Sequence, residues 1–200
     1  MADTIAGTFQ SGPGSGRVLI KTGRAGMAAR AGHDLTLEVT KWSARITVPG
    51  VDDDGLAAAT VSAELDLGSL AVREGSGGAK PLSDRDRRDI LASARKILGD
   101  GAMATFTSSR IIPSSGGGAI EGTLTFRGKS APVRLQVVSP VPGKYRGSGT
   151  VLQTALGVTP YSGFFGALKL RDEVTAEFEV DLTQNSDNPP GGSGAGSRAQ

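Results

Sequence analysis

The stretch "EVTAEFEVDL" at residues 173–182 decides the fold. Val174, Ala176, Phe178, Val180 and Leu182 alternate with Thr175, Glu177, Glu179 and Asp181. A period of two sends successive side chains to opposite faces of an extended chain, so this is a strand with one dry and one wet face. Such half-wet strands belong to antiparallel sheets, because parallel strands are covered on both faces.

The same period recurs in both directions. Val18 and Ile20 alternate with Arg17, Leu19 and Lys21, and Leu35, Leu37 and Val39 with Thr36 and Glu38. Trp42, Ala44, Ile46 and Val48 form a third apolar set, and Val61, Ala63, Leu65 and Leu67 a fourth. Ile120, Leu124 and Phe126 follow, with Gly122 in register, and then Val133, Leu135 and Val137. Turn signals separate them: "VDDDG" at 51–55, "SSGGG" at 114–118 and "RGKSAP" at 127–132. "GSGT" at 147–150 reads as a bend or bulge inside a strand.

One segment breaks the period. In "LSDRDRRDILASARKILGDG" (82–101), Ile90, Leu91, Ala94, Ile97 and Leu98 fall at helical spacing. Ser83 with Asp86 makes a capping box, and Gly99 is placed to close the helix in a left-handed conformation. The helix is expected between strands, its apolar stripe on the sheet or over an opening. Eight or nine strands with one inserted helix predict a curled or closed antiparallel barrel, since closure removes sticky sheet edges. Eight strands enclose an interior that side chains fill or that holds one small ligand.

The folded domain is expected over 4–183, followed by a Gly/Ser/Pro-rich tail, 184–200, too poor in large apolar residues to fold. The absence of cysteine excludes disulfides, thiol catalysis and cysteine-bound metals. The net charge is only +2 and no clustered basic face appears, which argues against nucleic-acid binding. The N-terminus has no basic start and no apolar run, and no long apolar stretch could span a membrane, so the expected location is cytoplasmic.

Chemistry candidates are few. His33, the only histidine, precedes Asp34 at a strand start. Three roles stay open for it: a strand cap, a contact to a ligand head group, or a catalytic base. No G-x-S-x-G surrounds any serine, which weighs against a hydrolase triad. "GPGSGR" at 12–17 leads into a strand rather than a helix and reads as a turn, not a phosphate loop. No metal-ligand spacing is present, and no cofactor is expected. "LGVTPYSGFFGALKL" at 156–170 gathers Tyr161, Phe164 and Phe165 among glycines, either as a plug for one barrel end or as the mouth of an apolar site.

The segments "AGHDLTLEVTKWSARITV", "LSDRDRRDILASARKILG", "IEGTLTFRGKSAPVRLQV" and "GALKLRDEVTAEFEVDL" follow one another in the order and spacing of YceI-like proteins, which the chain resembles over about residues 4–183. The resemblance implies an all-β fold with one inserted helix, an eight-stranded antiparallel lipocalin-like barrel. It also implies a tunnel for a polyprenyl, isoprenoid-quinone or fatty-acyl chain.

The expected tunnel residues are Val18, Ile20, Leu35, Leu37, Val39, Leu65, Ile120, Leu124, Phe126 and Phe178. His33, Arg30, Tyr161, Phe164 and Phe165 are expected at the mouth. The function so expected is non-enzymatic binding, transport or sequestration of an amphiphilic lipid, without stable membrane insertion and with a homodimer left open. The rivals are a filled barrel acting as an interaction module, and a small-substrate enzyme using His33.

Overall fold

The computed structural model describes residues 6–49 and 55–183. The expected tail and the "VDDD" of the first turn lie outside these residues.

Among the described residues, twelve strand segments and one α-helix make the fold. The first six strands are β1 (Gly7–Ser11), β2 (Gly16–Ala25), β3 (Asp34–Val39), β4 (Trp42–Val48), β5 (Thr60–Asp66) and β6 (Leu70–Ser76). Helix α1 (Asp84–Leu98) follows. Then come β7 (Met103–Ser114), β8 (Gly117–Phe126), β9 (Lys129–Val141), β10 (Lys144–Leu152), the short β11 (Ser162–Gly163) and β12 (Leu168–Asp181).

Every pairing is antiparallel, and the order is β1-β4-β5-β7-β8-β9-β10-β12-β2-β3-β6, with β11 on β12. The expected count of eight strands is therefore corrected to twelve segments. The reason is local. Three long runs are each broken in two: β1–β2 by the Gly12–Ser15 turn, β3–β4 at Thr40–Lys41, and β5–β6 by a 3-10 turn at Leu67–Ser69. At the last two breaks the chains still bond across, Thr40 N–H to Ser69 O at 3.4 Å and Asp66 N–H to Lys41 O at 3.0 Å. The ladder β2·β3 is thus prolonged by β1·β4, and β3·β6 by β4·β5. Because β2 carries β3 on one side and β12 on the other, the path of pairings returns to the run where it began.

Alternation sorts the side chains as the sequence predicts. Phe126, Val39, Leu37, Leu35, Trp42 and Phe106 are buried inside. Two clusters close the interior. One gathers Phe106, Phe126, Val133, Val151, Leu156 and Val158; the other gathers Phe9, Val48, Ala59 and Leu182. Outside, charges meet directly across strands, Arg17 with Glu179 at 3.0 Å and Lys144 with Asp181 at 3.1 Å. Glu121 and Arg134, also opposite each other, form another pair. Such exposed pairs contribute about 0–1 kcal/mol each. Glu179 raises the pKa of Arg17 by hydrogen bonding and charge.

Helix α1 carries the expected capping box: Ser83 Oγ accepts from Asp86 N–H at 3.2 Å, and Asp86 Oδ2 accepts from Ser83 N–H at 2.9 Å. Gly99 ends the helix with the expected positive φ, 82°, but its ψ of 170° takes it out of the left-handed helical region. The helix lies along the outer side of β6, whose edge pairs with no further strand among the described residues. There Arg87 Nη1 donates to Val72 O at 2.9 Å, which satisfies an edge carbonyl. The expected bulge at "GSGT" is also corrected. Gly147–Thr150 pair regularly with β12, and the irregularity lies between Lys144 and Arg146.

Candidate functional site

The inward faces enclose a cavity of about 880 Å³. That volume lies at the upper end of small-molecule sites, which run to about 1,000 Å³. All ten expected tunnel residues line it: Val18, Ile20, Leu35, Leu37, Val39, Leu65, Ile120, Leu124, Phe126 and Phe178. The register explains why they converge. Val18 pairs with Val39 and Phe178, Ile20 with Leu37, and Ile120 with Leu135 and Ile111. Each inward residue therefore meets inward neighbours on both sides, and the wall is almost wholly apolar.

Helix α1 completes the wall. Ile90, Ala94, Ile97 and Leu98 face the cavity from the side where β6 has no strand partner. Of the two placements open to the helical stripe, it takes the one over an opening.

The residues expected at the mouth lie only partly on the cavity wall. His33 and Tyr161 line the cavity. Arg30 does not; it sits on an exposed 3-10 turn, Ala29–Ala31, and is corrected to a surface residue. Phe165 does not line the cavity either; its side chain stands fully in solvent on a backbone at φ 54°. The side chain of Phe164 lies outside what the structure describes.

Residues that the sequence did not single out build the polar end of the cavity. Arg24 continues the inward parity of Val18 and Ile20 and lines the cavity. Its Nη1 donates to Gly32 O at 2.7 Å, and its backbone N–H donates to Asp34 Oδ1 at 2.7 Å. Asp34 thereby fastens the β2–β3 connection. His33 Nε2 lies 2.8 Å from Lys80 O, which ties the same connection to the segment that leads into α1. That segment passes very close. A Cβ on Gly77 would fall 1.8 Å from Arg24 Nη1, and one on Gly78 would fall 2.4 Å from His33 Nε2. Both glycines have φ 74°, so glycine is required there twice over, for space and for conformation.

Lys80 and Asp86 also reach the cavity at this end. The Ser83 hydroxyl and N–H hold the Asp86 carboxyl below its ordinary value, with Lys80 and His33 adding weaker pulls. One step deeper than Arg24, Thr22 is 9% exposed, and its hydroxyl has no hydrogen-bond partner among the described residues. It lies on the cavity wall between Val174 and Leu35, in an otherwise apolar ring.

This arrangement can hold a long apolar body with a polar group at the Arg24–His33 end. Among the described residues, no three or more His, Cys, Asp or Glu side chains converge to hold a metal. Also among them, no helix is long and apolar enough to cross a membrane.

The family model described as YceI-like domain matches residues 20–182. A search of curated proteins gives no match. Among solved structures, the chain is similar to a mutant "CJ YCEI protein" crystallised with a monobromobimane guest. The likeness is 14% identity and a TM-score of 0.42, over 72% of this chain and 83% of that one.

Proposed function

The chain belongs to the YceI-like domain family, and from that premise we propose that it binds and carries an amphiphilic lipid with a long isoprenoid-type or fatty-acyl chain. The twelve segments act as a closed barrel of eight long strands, and the lipid chain lies along its axis. The single observation that carries this reading is the apolar cavity of about 880 Å³, which all ten alternation-derived residues line.

The driving force is burial. Each methylene taken from water contributes about 0.8 kcal/mol, so ten give about 8 kcal/mol. Association itself costs about 4–15 kcal/mol. A chain well beyond ten carbons is therefore the expected cargo, and shorter chains bind weakly. The head group sits at the Arg24–His33 end, where the wall turns polar.

The carrier reading is non-enzymatic and is favoured over an enzyme at His33. The Nε2 of that imidazole is engaged with Lys80 O at 2.8 Å, as a structural clasp would be. A filled barrel acting as an interaction module fits poorly with a cavity of this size.

Titration with a fluorescent long-chain polyene fatty acid tests the proposal. Saturable binding, competed by polyprenols or fatty acids and lost with chains of a few carbons, is expected. Linear, unsaturable uptake would overturn it.

A further inference from the structure

Two apolar side chains stand in water at one end of the molecule. Met27 is 96% exposed and Phe165 is fully exposed. They lie on separate connections, β2–β3 and β11–β12, which the Ala28 N–H to Ala167 O bond at 2.9 Å joins. Phe165 also holds φ 54°, a conformation that a large side chain adopts at a cost. A residue both strained and wet does nothing for the fold.

The same connections bound the polar end of the cavity, which the carrier reading takes as its mouth. Arg24 and His33 flank one of them, Tyr161 immediately precedes β11, and all three line the cavity. Two exposed cations lie close to the apolar pair along the chain. Arg30 lies three residues after Met27, and Lys169 is placed so that a Cβ on Gly166 would be 3.8 Å from its Cε. Neither has an ion-pair partner among the described residues. Nearby carboxylates are turned to other partners: Asp34 to Arg24, and Asp172 to Thr154.

We infer that this rim docks on an anionic lipid bilayer, with Met27 and Phe165 inserted at the headgroup boundary and Arg30 and Lys169 against the lipid phosphates. An aromatic ring and cations side by side are the chemistry of an interfacial anchor. Docking would place the mouth against the source of its lipid, so the chain need not cross water. The interaction is peripheral, and it goes beyond the carrier reading, since docking is a property of the outer rim.

The test uses the full-length protein freed of bound lipid. Co-sedimentation is measured with vesicles of phosphatidylcholine plus phosphatidylglycerol, against phosphatidylcholine alone. Binding to the anionic vesicles is expected, weakened by salt. Phe165→Asn with Met27→Ser should reduce it at least about tenfold, and Arg30→Gln with Lys169→Gln by about tenfold or more. Asparagine suits the positive φ, so Phe165→Asn should keep the fold. Equilibrium binding of the polyene fatty acid in solution should not change in either variant, because none of the four side chains lines the cavity. Docking is overturned if wild type ignores anionic vesicles, or if the variants sediment as it does. It is also overturned if the apolar pair proves instead to drive a concentration-dependent dimer with no vesicle binding. Each of these outcomes leaves the fatty-acid titration, and so the carrier reading, standing or falling on its own.

Discussion

The ring of Phe178 lies across the bare α-carbon of Gly147: a Cβ there would fall 2.7 Å from both Cε1 and Cζ of the ring. The two residues are register partners on β12 and β10, and Phe178 lines the cavity. Gly147→Ala must displace both the ring and the Gln136 carbonyl oxygen, which would also lie 2.7 Å from the added Cβ. An overpacked site of this kind loses about 1–3 kcal/mol of stability, and the cavity narrows. Thermal melts and fatty-acid titration of the variant should show both losses together.

Ala176 pairs with Ile20 and Gly149 in the middle of the wall. Ala176→Trp places a large ring in the open space rather than in packed core. Binding of a long-chain fatty acid should fall at least about tenfold, about 1.4 kcal/mol, while the melting temperature changes little. Undiminished binding would mean that the lipid lies elsewhere.

Thr22 has a buried hydroxyl without a partner among the described residues. Thr22→Val removes the unsatisfied group while keeping the shape. The lipid-free protein should gain about 1 kcal/mol, a rise of roughly 2–4 °C in melting temperature. If a lipid head bonds to this hydroxyl, the same variant binds that lipid less tightly, and calorimetry with head-group variants reads the difference.

Acid should destabilise the fold through three hydrogen-bonded carboxylates. The side chains of Ser83, Thr154 and Thr183 hold Asp86, Asp172 and Asp181 below the ordinary 3.8, Lys144 helping at Asp181. Their pKa values are lower folded than unfolded, so the unfolded chain takes up protons first as pH falls. The stabilisation is complete above the unfolded value and is lost as pH drops through each folded one. Urea midpoints should therefore decline below about pH 4, and less steeply in Thr154→Val and Thr183→Val.

Much of this was legible in the sequence, because alternation is a local property. Val18, Leu37, Leu65 and Phe178 line the cavity on parity alone. What failed was long-range. The breaks at Thr40–Lys41 and Leu67–Ser69 split strands without any strong turn residue at the first, so the segment count was out of reach. β10 hides its inward face because Gly147 and Gly149 sit where Phe178 and Leu135 supply the bulk. The mouth was misassigned for a similar reason. Arg30 lies near His33 in sequence, yet Arg24 is the arginine that shares inward parity with Val18 and Ile20. Extending that parity to Thr22 and Arg24 would have found both. The exposure of Phe165 had no local signal, since aromatic residues among glycines plug or project according to tertiary contacts.

The most direct test of the carrier account is solvent extraction of the protein purified from its own cells without detergent, with the extract identified by mass spectrometry. Wild type should release one class of long-chain amphiphilic lipid in near-stoichiometric amount, and Ala176→Trp should release little of it. A wild-type protein that yields no lipid, and whose cavity takes none up on titration, would contradict the account.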